Sequence, residues 1–155
     1  MKDAPRSRFN RPSETLPADP PAWVAGYIGL PWREHGRDRS GCDCWGLLRL
    51  VLAERFGIAV PAYDGRYADT ADRAEIAMLM RGGMGPWRQV DEAGVRQGDG
   101  ALFRVAGQPC HVGVVVAAGW MLHVQKGVDS GLERHDGTRW ARRLAGFYRW
   151  AGETA

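Results

Sequence analysis

The sequence predicts an α+β domain in which a helix packs against an antiparallel sheet. Its 155 residues are 45% hydrophobic and 25% charged, which suits a single domain with one core. Apolar residues recur at helical spacing in the first half of the chain. After Trp87 they come instead in short runs between glycines, as in strands. Helices followed by a sheet of hairpins are typical of the α+β class.

The chain begins with a segment that differs in composition from the rest. Residues 1–18 are rich in proline, serine and arginine and show no periodicity, which predicts a flexible N-terminal arm. Residues 19–155 form the predicted domain. Within it, Asp19 and the following prolines favour a short helix to Ile28, and a polar loop over residues 30–41 follows.

The next helix carries the candidate nucleophile. Asp43 is a favourable N-cap, and apolar residues recur at helical spacing up to Phe56, before Gly57. Cys44 therefore lies in the first turn, where unpaired N–H groups and the helix dipole favour a thiolate. The alternative is an inert core cysteine, since free cysteines are mostly buried. We expect all three cysteines, Cys42, Cys44 and Cys110, to be reduced or reactive.

The remaining elements follow from turn residues and short apolar runs. Residues 60–65 are turn-rich, and Thr70 can cap a helix through Met80 that ends at Gly82 and Gly83. Four strands are predicted, at Gly100–Val105, His111–Val116, Trp120–Gln125 and Leu144–Trp150. A weaker strand is predicted near Gly131–His135, and one helical turn at Thr138–Arg143.

A cysteine nucleophile needs an imidazole base and a group that orients it. His111 and His123 lie on adjacent predicted strands. A two-residue turn at Ala118–Gly119 places these histidines on opposite faces, whereas a three-residue loop at 117–119 pairs Gly113 with His123 and places both on one face. Their Cβ atoms are then about 7–8 Å apart, so the second arrangement permits a catalytic triad with the cysteine.

Metal, nucleic-acid and membrane functions receive little support. The possible zinc ligands are Cys42, Cys44, Cys110, His111 and His123. They lack the two-to-four-residue spacing that is usual between zinc ligands, so we expect no metal and no cofactor. A net charge of +3 is typical of a scattered basic surface, and no nucleic-acid partner is expected. No apolar run is long enough for membrane insertion and no secretory signal is evident, which predicts synthesis in the cytoplasm.

Five short motifs follow one another along the chain. They are Tyr27-Ile28-Gly29-Leu30-Pro31-Trp32, Gly41-Cys42-Asp43-Cys44-Trp45-Gly46-Leu47, Gln97-Gly98-Asp99-Gly100-Ala101-Leu102-Phe103, His111-Val112-Gly113-Val114 and Leu122-His123. In this order they resemble the NlpC/P60 family of cysteine peptidases. The resemblance covers roughly residues 21–150 and is closest to short members from the tails of phages and phage-like gene transfer agents.

This resemblance implies a papain-like fold and assigns the site. Cys44 would be the nucleophile, His111 the general base and acid, and His123 the group that fixes the tautomer of His111. Two tryptophans depart from the common pattern, because many members have Tyr at position 32 and Ser at position 45. An indole N–H can still donate to an oxyanion. The predicted oxyanion and substrate-binding residues are Trp32, Asp43 and Trp45.

The resemblance also implies a substrate and a setting. Family members typically hydrolyse peptidoglycan stem peptides between D-γ-glutamyl and diaminopimelate residues through a thioester. We expect this chain to be incorporated in a phage-like tail and to act on the cell wall, in the periplasm of the target cell. Tail-tip or baseplate hub proteins would be its partners, contacted through the 1–18 arm or residues 60–90. The alternative is a non-enzymatic tail-tip adaptor or plug that keeps the fold.

Overall fold

The structure is a computed structural model that describes residues 16–60 and 87–152. Three predictions lie wholly or mostly outside these residues. They are the 1–18 arm, the helix that begins at Thr70, and the docking surface on residues 60–90. Most of the turn-rich connection at 60–65 also lies outside them.

The N-terminal part leads into the helix that carries Cys44. A 3-10 helix spans Ala22–Tyr27, and β1 (Arg37–Asp38) pairs with β2 (Gly41–Cys42) in a short antiparallel ribbon. The helix α1 then runs over Cys44–Phe56, as predicted. Gly57 adopts a left-handed conformation, with φ 65°, at its C-terminal end. Within the described residues, no helix has the length and apolar character needed to span a membrane.

The rest of the described chain forms one antiparallel sheet. Its strands are β3 (Trp87–Val90), β4 (Gly100–Val105), β5 (Gln108–Ala117), β6 (Trp120–Gln125), β7 (Val128–Arg134) and β8 (Leu144–Trp150). Their order across the sheet is β3-β8-β4-β5-β6-β7. The four predicted strands are confirmed, whereas β3 was not predicted and β7 begins earlier than expected. The predicted turn near 138–143 is a 3-10 helix at Ala141–Arg143. The predicted α+β class is therefore correct.

Both faces of the sheet are covered by apolar side chains. Val112, Val114 and Val116 of β5 belong to the same cluster as the buried residues of α1. Val115 belongs to a second cluster with Phe103 and the fully buried Trp140. Burial on both sides explains why β5 is a nearly continuous apolar run rather than an alternating one.

The β5–β6 hairpin has the predicted register but reaches it differently. Val114 pairs with Leu122 and Val115 with Met121, the register in which Gly113 lies opposite His123. The predicted three-residue loop is wrong, because Ala117 rather than Val116 pairs with Trp120. A bulge between Val115 and Ala117 supplies the extra residue, so a two-residue turn still leaves the histidines on one face.

Candidate active site

Cys44 occupies the first position of α1, where the helix meets the sheet. Its side chain is buried, with 8% exposure. Its sulfur lies within hydrogen-bonding reach of the backbone N–H groups of Val112 on β5 and of Trp45. Val112 directly follows His111 in sequence. The N-terminus of α1 therefore contacts the segment of β5 that carries the predicted base.

A bulge precedes His111 on the same strand. Phe103 of β4 pairs with His111 and Arg104 pairs with Pro109, so Cys110 is the extra residue. Cys110 is buried and lies close enough to Cys44 to influence it electrostatically. Bulges change the direction of the side chains beside them and are common near active sites.

The environment of Cys44 disfavours ionisation of its thiol. Burial raises the pKa of Cys44 to about 12, and the Asp43 carboxylate contributes to the increase. The backbone N–H groups of Val112 and Trp45 lower it only in part. The predicted stabilisation of a thiolate by the helix N-terminus is therefore outweighed, because desolvation penalises the charged form. This environment favours the neutral thiol, so Cys44 needs a base to become a nucleophile.

The two predicted histidines are in direct contact. His111 Nε2 lies 2.9 Å from His123 Nδ1, and the ring centroids are 5.1 Å apart. Each residue is 7% exposed. The expectation that these side chains share one face and meet is confirmed. The space at Gly113, however, is taken by the Met121 side chain, whose sulfur lies 2.5 Å from where a Cβ on Gly113 would stand.

A carboxylate extends the histidine pair. Glu133 Oε1 on β7 lies 2.9 Å from His123 Nε2. Burial favours a higher pKa for Glu133, but Trp140, His123 and Arg139 together hold it below the usual value. Glu133 is therefore ionised at neutral pH and accepts hydrogen bonds without donating them. The sequence did not reveal Glu133, because β7 was predicted only weakly and its register was not assigned.

Trp140 is a second residue that the sequence did not reveal. Its indole stacks on the His111 ring, with centroids 5.1 Å apart and planes inclined by 24°. It also meets His123 edge to face at 5.4 Å. Its N–H makes no hydrogen bond of standard geometry within the described residues, yet it lowers the pKa of Glu133. Trp140 thus holds both rings from the side opposite α1.

Asp43 is part of a buried network rather than an open surface. Its carboxylate accepts hydrogen bonds from the backbone N–H of Gly46 at 2.7 Å and of His35 at 3.1 Å. The Arg37 guanidinium donates to it at 3.0 Å. These contacts make Asp43 the N-cap of α1, as predicted, and fix the preceding loop onto the helix. Its role in substrate binding stays a prediction.

The two predicted tryptophans have different environments. Trp45 is fully buried and packs against Trp87, with ring centroids 5.8 Å apart. Trp32 is half-buried and forms a backbone bridge with Cys42, close to the start of α1. Trp32 is therefore the better placed of the two to contact a ligand, and its oxyanion role stays a prediction. In residues 16–60 and 87–152, no three histidine, cysteine or acidic side chains are arranged to hold a metal ion.

Sequence comparisons connect the chain with bacterial cell-wall enzymes. The model of the NlpC/P60 family matches residues 29–149. The probable endopeptidase NlpC homolog of Haemophilus influenzae is 24% identical over 116 residues, covering 75% of this chain and 53% of that protein. The murein DD-endopeptidase MepS/murein LD-carboxypeptidase of Escherichia coli K12 is 25% identical over 99 residues, covering 64% and 44%. The chain thus spans about half the length of these curated relatives.

Solved structures show the same fold. An NlpC/P60 family protein from Bacillus cereus superposes with a TM-score of 0.61 at 21% identity, covering 86% of this chain and 42% of that one. The NlpC/p60 domain of peptidoglycan hydrolase SagA gives 0.53 at 22% identity, covering 82% and 92%. NlpC2 from Trichomonas vaginalis gives 0.59 at 17% identity, covering 82% and 44%.

Proposed function

The chain belongs to the NlpC/P60 family, and from that premise we propose that it is a cysteine peptidase that hydrolyses peptidoglycan stem peptides. The observation that carries the proposal is the position of Cys44 at the N-terminus of α1, against the strand segment that bears His111. His111 in turn contacts His123, which contacts Glu133. The description of the curated relatives as endopeptidases supports the same class of reaction.

The reaction that fits these residues is acyl transfer in two steps. His111 takes the Cys44 proton as the sulfur attacks the peptide carbonyl, and it returns this proton to the amine that leaves. The acyl group then remains on sulfur as a thioester, which a water molecule hydrolyses after losing a proton to His111. Backbone N–H groups at the start of α1 stabilise the negative charge that develops on the carbonyl oxygen.

We propose the bond between D-γ-glutamyl and diaminopimelate as the one that is cut. A γ-linked glutamyl residue retains its α-carboxylate, and diaminopimelate carries a carboxylate of its own, so the substrate is acidic. Exposed arginines offer complementary charge, and we call Arg104, Arg139, Arg142 and Arg143 the basic patch. Three of them adjoin Trp140 in sequence, and the fourth, Arg104, donates a hydrogen bond to the backbone carbonyl of Leu144. The guanidinium carbons of Arg139 and Arg143 lie 5.1 and 5.4 Å from the Trp140 ring centroid.

The direct test is digestion of purified peptidoglycan followed by mass analysis of the fragments. We expect the wild-type protein to release fragments cut at the proposed bond, and Cys44→Ala to lose at least about 10³-fold of the rate. Cys42→Ala is the matched control, because it removes another buried thiol to which no catalytic role is assigned. A Cys44→Ala protein as active as the wild type would end the proposal, and fragments from another bond would correct the specificity.

We further propose that the protein is carried in a phage-like tail and acts on the cell wall during entry. The likeness to short tail-associated family members supports this setting, and tail-tip or baseplate hub proteins are the proposed partners. Purified particles should contain the chain, and a protein that lacks residues 1–18 should be incorporated poorly. Full incorporation of the shortened protein would exclude docking through the arm.

A non-enzymatic adaptor or plug is the second candidate function. The burial of Cys44 and its pKa of about 12 favour it, because both make the sulfur a poor nucleophile unless a base assists. This candidate predicts that Cys44 in intact particles resists an alkylating agent and that no peptidoglycan is cut. Labelling of Cys44 together with release of fragments would exclude it.

A further inference from the structure

We propose that Glu133 is a positioning residue that selects one of two proton arrangements in the histidine pair and thereby makes His111 basic at Nδ1. The inference rests on the proposed function, since it concerns the base of that reaction. The contacts that support it involve no substrate. Glu133 contacts His123, and His123 contacts His111.

The register of the sheet brings Glu133 to His123. His123 pairs with Gly131 and Met121 pairs with Glu133 across β6 and β7. Because side chains two residues apart share a face, Glu133 and His123 lie on the same side of the sheet as diagonal neighbours. Glu133 is 28% exposed, whereas His123 is 7% exposed. The carboxylate therefore lies at the solvent end of a buried polar chain.

The chemistry of the three groups permits only one order of hydrogen bonds. Burial lowers the pKa of His123 more than the Glu133 carboxylate raises it, so this ring is neutral and carries one N–H. Since an ionised carboxylate can only accept, the N–H of His123 must be at Nε2, and Nδ1 must accept. His111 then donates from Nε2, which leaves Nδ1 as the nitrogen that can take a proton.

The reversed arrangement is excluded by charge. It would place the His123 proton at Nδ1 and leave a lone pair at Nε2, 2.9 Å from a carboxylate oxygen. Two acceptors at that distance repel each other, and the low dielectric of a buried position strengthens the repulsion. Without the carboxylate, two neutral imidazoles have no such preference. In the reversed arrangement, His111 would carry its proton at Nδ1 and could not act as a base there.

Arg139 supports Glu133 from the solvent side. Its guanidinium lies 3.2 Å from Glu133 Oε2 and donates to Gln125 Oε1 at 2.9 Å. The contacts of the histidine pair include Glu133 from β7 and the rings of Trp140 and Phe103, and Arg139 acts on the pair through Glu133. Cys44 approaches the same strand from α1.

The primary test reads the proton positions directly. Nitrogen-15 NMR of the imidazole rings in the full-length wild-type protein should show His123 protonated at Nε2 and His111 also at Nε2. A wild-type spectrum with His123 protonated at Nδ1 would overturn the inference, whether or not the protein cuts peptidoglycan. Glu133→Gln should give a mixture of both tautomers, because an amide can accept or donate, while Glu133→Asp should keep the wild-type tautomer by retaining the charge.

Enzyme kinetics provide a second test, because a purely structural role of Glu133 would not change kcat and the pH profile in the way that we expect. We expect Glu133→Gln to lower kcat about 10–100-fold with little change in KM, and to move the acid limb of the pH profile to lower pH. The sign follows because loss of the negative charge lowers the pKa of the nearby imidazoles. Glu92→Gln is the matched control, on an exposed 3-10 helix, and should leave both quantities unchanged.

The outcomes separate this inference from the proposed function. If the wild-type protein cuts no peptidoglycan while its rings show the expected tautomers, the proposed function fails and the role of Glu133 in ordering protons stands. If the wild-type protein is active and Glu133→Gln keeps its kcat, acid limb and tautomers, the proposed function stands and Glu133 has no positioning role.

Discussion

Cys44 lies where two opposing effects on a thiol meet. The N-terminus of α1 offers N–H groups that stabilise a thiolate, but the sulfur is buried and next to the Asp43 carboxylate. The burial is the larger effect, since desolvation can shift the pKa of a buried group by several units. The helix N-terminus therefore positions the sulfur, and in the proposed mechanism the histidines supply the base.

Alkylation of Cys44 should consequently depend steeply on pH. With a pKa of about 12, the thiolate fraction rises about tenfold for each pH unit, so the rate of reaction with iodoacetamide should keep rising from pH 7 to pH 10. The rate is measured by mass mapping of the Cys44 peptide, with free cysteine as the reference thiol. A plateau below pH 8 would show instead that His111 already holds the sulfur as a thiolate in an ion pair.

At the scale of elements, the turn before β4 joins three strands. Asp99 is 1% exposed and accepts two hydrogen bonds from the Arg149 guanidinium of β8, at 2.8 and 2.7 Å. It also accepts one from the backbone N–H of Arg96. The backbone of Gly98 and Asp99 pairs with Val115 of β5. The Gly-Asp pair of the family motif thus stabilises the sheet beside the candidate site.

Asp99→Asn should therefore destabilise the fold. The substitution leaves the Arg149 charge without its counter-ion in a largely buried place, which we expect to cost about 3 kcal/mol of unfolding free energy. Urea unfolding followed by tryptophan fluorescence measures this loss. Asp136→Asn is the matched control, because its pair with Arg134 is about half exposed and is expected to contribute about 0–1 kcal/mol. Equal effects of the two substitutions would contradict this account.

The elements that could be predicted from the sequence are those with a strong local pattern. The helix α1 has an N-cap, helical apolar spacing and a terminal glycine, and β5 and β6 are apolar runs bounded by glycine. The bulge at Val116 could not be predicted, because either loop length is compatible with the same residues. Glu133 and Trp140 could not be predicted, because they lie on β7 and beside the 3-10 helix, which have only weak sequence patterns. Their contacts with the histidines depend on how these elements pack.

At the scale of the whole molecule, the candidate site draws on both layers that cover the sheet. Cys44 belongs to the apolar cluster on the α1 side, whereas the His111 ring packs on Trp140 in the layer opposite. The strand β5 lies between the two layers and contacts both. A change in either layer should therefore alter the relative placement of Cys44 and His111 without touching either residue.

Exposed arginines lie both beside the candidate site and at the far edge of the sheet. In the basic patch, Arg139 and Arg143 lie over the Trp140 ring, and Arg142 is exposed next to Arg143 in sequence. Arg88 is exposed on β3, which lies at the other end of the sheet from β7. If the substrate is an acidic stem peptide, the same loss of one positive charge should matter at Arg142 and not at Arg88.

Arg142→Gln should thus weaken binding to insoluble peptidoglycan by about 2–5-fold at low salt, equivalent to an exposed charge interaction of roughly 0.4–1 kcal/mol. The difference from the wild type should shrink as ionic strength rises, because salt screens exposed charges. Co-sedimentation of the Cys44→Ala protein over a salt series measures binding without cleavage. Arg88→Gln in the same background is the control for net charge. Equal weakening by both substitutions would mean that overall charge, and not the basic patch, attracts the polymer.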